Sequence, residues 1–154
     1  MKKCIILGIK GFDPEFVQAF GNKLPNWERL FTDAVSGVLI NRVPVSWELG
    51  FSQALCGVQV HETALARHLT DIYPGMGLTV AAYGFPVESA DIHDEASLKA
   101  LLDEDNMRMK EAVKQAVHRD LTVIALAGFE AFLGRDEGEL YLSKTDTALG
   151  ELLD

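Results

Sequence analysis

An apolar run near the start of the chain constrains the fold more than any other feature. The run extends from Lys3 to Ile9 and carries no charged side chain after Lys3. A strand with one solvated face alternates apolar and polar residues, whereas a nearly continuous apolar run is typical of a strand buried on both faces of a parallel sheet. The segments Ser36 to Val43, Leu78 to Tyr83 and Leu121 to Leu126 also have strand character, which predicts a sheet of about four core strands.

Helix-like segments separate these strands, and their apolar residues recur at three- and four-residue spacing. The polar run Asp103 to Asn106 interrupts the longest of them and predicts a bend or a split. The alternation predicts an α/β fold, a three-layer sandwich in which a mostly parallel sheet has helices on both faces. A length of 154 residues suits a single domain, 1–154. The predicted helices include Trp47 to Leu55, Glu62 to Leu69, Glu95 to His118 and Leu140 to Leu153.

The charge balance excludes several kinds of partner. The chain has 23 acidic and 14 basic side chains and a formal charge of -9, and it has no basic stripe that would neutralise phosphates. Nucleic acid and anionic membrane surfaces are therefore not expected partners. No stretch is long enough to cross a bilayer. Cys4 and Cys56 are expected to be small core residues rather than parts of a disulfide or a zinc site. A cytoplasmic location is the resulting expectation.

Lys10 is the first candidate functional residue. It lies where the first strand runs into a turn that ends at Pro14. In an open α/β sheet, the carboxyl ends of the strands are where ligands and catalytic groups gather. The ammonium group of a lysine attracts phosphate and carboxylate groups. The sequence therefore makes Lys10 a candidate anion-binding residue.

Three groups of segments carry motifs in a fixed order along the chain: Ile5 to Pro14, Leu24 to Leu30 and Val35 to Gly37; Val43 to Ser46 and Leu55 to Gly57; and Asp120 to Ile124 and Thr145 to Asp154. These segments resemble the alkaline-phosphatase superfamily, which includes type I phosphodiesterases and cofactor-independent phosphoglycerate mutases. Members commonly have a strand, an Asp-Gly turn and a helix that starts with leucine, proline and asparagine. A Ser or Thr nucleophile then precedes a helix that ends near Thr-Gly, and a later strand leads to a metal motif and a closing helix.

The resemblance implies a metalloenzyme scaffold in which two divalent cations hold a phosphoryl group and activate the nucleophile. It places Lys10 at the first metal-binding aspartate, and Glu130 and Gly134 at the aspartate and histidine of the later motif. A protonated lysine repels a cation, and glycine has no side chain. Further family ligands would lie beyond the position of Asp154, so a complete two-metal site is not expected within this chain. We expect no cofactor, with Glu130 and Asp136 as vestigial metal ligands. An active protein would require a divalent metal such as zinc or manganese.

Ser46 is the candidate catalytic residue, the nucleophile that the resemblance implies. It also precedes the helix predicted from Trp47, and serine is a favoured residue at the N-cap of a helix. The sequence favours the cap and leaves the nucleophile open.

The leading interpretation is a catalytically degenerate alkaline-phosphatase-like domain that acts as a binding or interaction module. Its expected partners are a second copy of the chain, another protein or a phosphate-containing small molecule. Two alternatives stay open. One is a reduced phosphoesterase or phosphomutase that uses Ser46 as its nucleophile, and the other is a subunit whose site a partner chain completes.

Overall fold

A computed structural model describes residues 3–12, 15, 23–35, 46–57, 67–85, 94–132 and 135–154. Within these residues, β1 is Cys4–Ile9, β2 is Val80–Tyr83 and β3 is Leu121–Leu126. The helices, in chain order from α1 to α6, are Pro25–Asp33, Trp47–Cys56, Leu69–Gly75, Glu95–Ala116, Gly128–Phe132 and Asp136–Leu153.

The described strands form one parallel sheet in the order β1-β3-β2. Ile9 of β1 pairs with Leu126 of β3, so these strands end together at the carboxyl edge of the sheet. The central strand, β3, is buried along its whole length, whereas β1 and β2 are only partly buried. The expectation that β1 is buried on both faces is therefore wrong, because β1 is an outer strand among the described ones. Cys4 is exposed at the start of β1 instead of lying in the core, and Cys56 is half-buried.

Helices pack on both faces of this sheet. On one face, Phe51 of α2 packs in a cluster with Val123 of β3. On the other face, Met109 of α4 packs in a cluster with Ile124 of β3. Successive side chains of a strand point to opposite faces, which explains how neighbouring residues of β3 serve two cores. The predicted α/β fold with helices on a parallel sheet is confirmed for the described residues. None of the described helices is long and apolar enough to span a membrane.

A contact between α1 and α6, called here the α1–α6 clasp, joins two of the segments that carry the resemblance. The N-cap residue of α1, Leu24, provides no side-chain cap. Asp146 of α6 accepts hydrogen bonds instead from the backbone N–H groups of Asn26 and Trp27, at 3.0 and 2.9 Å. It also accepts one from Asn26 Nδ2 at 3.0 Å. A Cβ at Gly150 would lie 2.7 Å from Asn26 Nδ2, so glycine is needed there for the clasp to close.

Some predicted boundaries need correction. α4 runs unbroken through the polar run from Asp103 to Asn106, because Asp105 within it is buried and hydrogen bonded. α3 begins at Leu69, where the predicted helix was to end, and residues 58–66 lie outside the described part of the chain. α6 begins at Asp136, earlier than predicted. The strand predicted at Ser36 to Val43 also lies outside the described residues.

Candidate functional site

The turn after β1 brings Lys10 next to α5. The backbone N–H of Lys10 donates to the carbonyl oxygen of Leu126 at 2.9 Å, which extends the pairing of β1 and β3 by one residue. Gly11 follows with a φ of 73°, in the left-handed region that favours glycine. A Cβ at Gly11 would lie 2.7 Å from Glu130 Cβ. Glycine at this position therefore allows α5 to approach the turn closely, with Glu130 facing Lys10.

Lys10 and Glu130 form an ion pair, with Lys10 Nζ 3.1 Å from Glu130 Oε2. The two side chains are 33% and 53% exposed, so water screens the pair. The sequence named both residues as site candidates, and the structure brings them together at the carboxyl edge of the sheet. The carboxylate of Glu130 is thus close to a fixed cation from the chain itself.

Ser46 lies at the N-terminus of α2, near the same edge. Its hydroxyl oxygen accepts a hydrogen bond from the backbone N–H of Leu49 at 3.3 Å, which makes Ser46 the N-cap of α2. The backbone N–H of Glu48 lowers the pKa of its own carboxyl most, followed by a hydrogen bond with the Ser46 hydroxyl, and the charge of Lys10 lowers it further. Glu48 therefore belongs with Lys10, Ser46 and Glu130, and these four residues are called here the edge cluster.

The edge cluster does not fit a divalent cation. The ammonium group of Lys10 lies within ion-pair distance of Glu130, the one of the two predicted metal ligands whose side chain the structure describes. Asp136 is the first residue of α6, and its side chain lies outside what the structure describes. Among the described residues, no group of three or more His, Cys, Asp and Glu side chains is arranged to hold a metal ion. Two-metal phosphoryl transfer requires several such ligands from different strand ends.

A buried hydrogen-bond network supports the start of α5, the short helix that carries Glu130. The carboxylate of Asp105 in α4 accepts hydrogen bonds from Gly128 N at 2.8 Å and Tyr141 Oη at 2.9 Å. Arg108 Nη1 donates a further bond to Asp105 at 3.1 Å. Asp105 is 1% exposed, and burial raises the pKa of its carboxyl although all three donors oppose the rise. Burial, followed by the charge of Asp105, also raises the pKa of Tyr141.

The sequence contained a signal for this network that the periodicity argument did not use. Asp105 falls at helical spacing in line with the apolar stripe of α4, and an acidic residue in such a stripe must find buried donors. Treating Asp103 to Asn106 as a polar run that bends or splits the helix concealed it. The other buried members of that stripe are Leu98, Leu101, Leu102, Met109, Ala112 and Ala116.

The edge cluster as a whole has one ammonium group and two carboxylates. Lys10 pairs with Glu130, its charge also lowers the pKa of Glu48, and the hydroxyl oxygen of Ser46 accepts a hydrogen bond from Leu49 N–H. Such an arrangement can position a turn and a helix start, but it presents no free cation to an anion. No known protein family, curated protein sequence or solved structure matches this chain.

Proposed function

We propose that this chain is a catalytically degenerate relative of the alkaline-phosphatase superfamily that serves as an interaction module. The observation that carries the proposal is the Lys10–Glu130 ion pair, with 3.1 Å between Nζ and Oε2. Members of the superfamily have a metal-binding aspartate at the position that the resemblance assigns to Lys10. This chain therefore has an ammonium group where a family member would have an aspartate and its metal ion. The ammonium group of Lys10 balances the negative charge of Glu130, as a bound metal ion would in a family member. The edge of the sheet therefore needs no metal.

The same geometry disfavours a phosphate-containing ligand at this edge. Glu130 contacts Lys10 directly, and Glu48 lies close enough for the charge of Lys10 to lower its pKa. The carboxylates of Glu130 and Glu48 outnumber the single ammonium group of Lys10, and this net negative charge disfavours phosphate. The proposed partner is therefore another protein or a second copy of the chain rather than a small phosphate compound.

A charge-reversal variant tests the proposal. Lys10→Asp would place a carboxylate beside those of Glu48 and Glu130, and oxygen ligands of this kind suit Mn²⁺. We expect Mn²⁺ to raise the melting temperature of Lys10→Asp and to leave that of the wild-type protein unchanged. Lys23→Asp is the matched control, because Lys23 forms a second exposed ion pair, at 2.6 Å, with Glu139. That variant should gain no stabilisation from Mn²⁺.

Metal content gives the result that would overturn the proposal. Wild-type protein exposed to Zn²⁺ or Mn²⁺ and then dialysed should retain much less than one ion per chain, as measured by plasma mass spectrometry. Stoichiometric metal that survives dialysis, or Mn²⁺ stabilisation of the wild-type protein equal to that of Lys10→Asp, would contradict it.

Ser46→Ala separates the proposed role from a reduced phosphoesterase. If Ser46 is only the N-cap of α2, the variant should lose about 1 kcal/mol of stability, and neither protein should hydrolyse p-nitrophenyl phosphate. Metal-dependent turnover by the wild-type protein that disappears in Ser46→Ala would favour the phosphoesterase instead.

A further inference from the structure

A second polar cluster, formed by Ser52, His68 and Asp71, shares no residue with the edge cluster. Ser52 Oγ in α2 lies 2.6 Å from Nε2 of His68, the residue that precedes α3. On the other side of the ring, His68 Nδ1 lies 3.8 Å from Asp71 Oδ2. That same oxygen accepts a hydrogen bond from the backbone N–H of His68 at 3.3 Å, which fixes the carboxylate next to the ring.

The surroundings of the cluster leave it partly open to solvent. The side chain of His68 is 25% exposed, and Ser52 is half-buried. Phe85 follows the carboxyl end of β2, and its ring packs edge-on against the imidazole of His68 with 5.2 Å between ring centroids. The cluster therefore lies towards the carboxyl ends of the strands, where sites in α/β proteins gather. The neighbouring Phe51 and Phe85 give it an apolar side.

We propose that Ser52, His68 and Asp71 form a nucleophilic triad that hydrolyses small carboxylic esters with apolar acyl groups. A serine hydroxyl within hydrogen-bond distance of an imidazole, with a carboxylate near the other ring nitrogen, is the set of groups by which serine becomes a nucleophile. Here the carboxylate of Asp71 is 3.8 Å from His68 Nδ1 and approaches that arrangement. With a proton on Nδ1 facing Asp71, Nε2 is the acceptor for the Ser52 hydroxyl. Ser52 and His68 are the catalytic residues, and Asp71 is a positioning residue.

The reaction needs no metal and no redox partner. Ser52 Oγ attacks the ester carbonyl carbon while its proton passes to His68 Nε2. The carbon–oxygen bond to the alcohol then breaks, and the leaving alkoxide takes the proton from Nε2. Water attacks the acyl group on Ser52 and gives a proton to Nε2, which returns it to Ser52 Oγ as the carboxylic acid leaves. The cycle therefore balances as ester and water giving acid and alcohol.

The alternative is a purely structural role, because a hydrogen bond between Ser52 and His68 also connects α2 to the start of α3. Fluorophosphonate labelling distinguishes the two, because the reagent forms an oxygen–phosphorus bond with an activated serine and releases fluoride. Incubation of the wild-type protein, followed by peptide mapping, should place the label on Ser52. Hydrolysis of p-nitrophenyl butyrate should exceed the buffer rate.

The variants make the outcome decisive. Ser52→Ala should abolish labelling and turnover, and alanine is well tolerated within a helix. His68→Gln should lower turnover by about 100-fold or more. Ser143→Ala, which removes an exposed helical serine of α6, is the matched control and should retain full activity. Circular dichroism and melting curves establish that each variant is folded.

Asp71→Asn tests the positioning role separately. It should lower kcat for the butyrate ester while KM stays unchanged, because the carboxylate orients the ring and does not bind the ester. Unchanged kcat would remove Asp71 from the triad. No label on wild-type protein, a label on another residue, or equal labelling of Ser52→Ala would overturn the whole proposal.

Discussion

The buried polar contacts of the scaffold and the half-exposed edge cluster use similar chemical groups in opposite ways. Asp105 and Asp146 are 1% and 4% exposed, and each accepts several hydrogen bonds from groups far away in the sequence. Lys10 and Glu130 are 33% and 53% exposed and contact each other through a single ion pair. Removing a partner from a buried polar contact leaves unsatisfied groups without water, whereas a solvated group simply regains water. The comparison teaches that the scaffold depends on its buried acids and that the edge cluster can vary.

The largest effect is expected for Asp105→Ala. The substitution would leave Gly128 N–H and the Tyr141 hydroxyl without their acceptor in the core, and we expect the free energy of unfolding to fall by about 3 kcal/mol. Tyr141→Phe removes one donor but leaves Asp105 its two other bonds, so its cost should be about 1 kcal/mol. Urea unfolding monitored by circular dichroism measures both. A loss for Asp105→Ala below that for Tyr141→Phe would break the comparison.

The pH dependence of the free energy of unfolding tests the role of buried Asp105 further, when the wild type is compared with Asp105→Asn. Burial raises the pKa of Asp105 in the folded state, so the folded state binds this proton more tightly than the unfolded state does. The resulting stability is fully present below the unfolded pKa of about 4 and is lost as the pH rises through the folded pKa. The free energy of unfolding of the wild type minus that of Asp105→Asn should therefore decrease as the pH rises from about 4. Unfolding curves at a series of pH values test this, and a difference that grows with pH would contradict it.

An intermediate effect is expected at the α1–α6 clasp. Asp146→Ala removes the acceptor for Asn26 N–H and Trp27 N–H, and a lost cap of this kind costs up to about 2 kcal/mol. Asp146→Asn keeps one acceptor oxygen and should cost less. The melting temperatures of the two variants provide the measurement. Equal losses would show that the negative charge of Asp146, rather than its hydrogen bonds, stabilises the start of α1.

The sequence predicted the layered α/β fold because apolar strands and amphipathic helices are local patterns. It also named Lys10 and Glu130 as site candidates, and the structure shows that both follow strands that end together. It overestimated the burial of β1, because apolar runs do not reveal whether a strand is central or outer. Periodicity alone gives no information on position within the sheet.

Contacts between distant side chains were the part that the sequence did not reveal. Spacing gave no reason to connect His68 with Ser52, because Ser52 lies within α2 and His68 precedes α3. The capping of α1 by Asp146 was missed for the same reason, because Asp146 and Asn26 lie far apart in the sequence. Such contacts depend on how the helices and strands pack against one another, and local patterns in a single sequence do not reveal that packing.

The smallest effect is expected from the edge cluster itself. In a double-mutant cycle of Lys10→Met and Glu130→Gln, the coupling energy should be below about 1 kcal/mol, because both side chains are partly exposed and water screens the pair. The coupling should also weaken as salt is added. The Lys23–Glu139 pair is a matched control, since its two side chains are also exposed. A salt-insensitive coupling of about 2 kcal/mol or more for Lys10 and Glu130 alone would show that this ion pair behaves like the buried contacts, and the ion pair would then be a structural requirement of the fold rather than a replaceable surface contact.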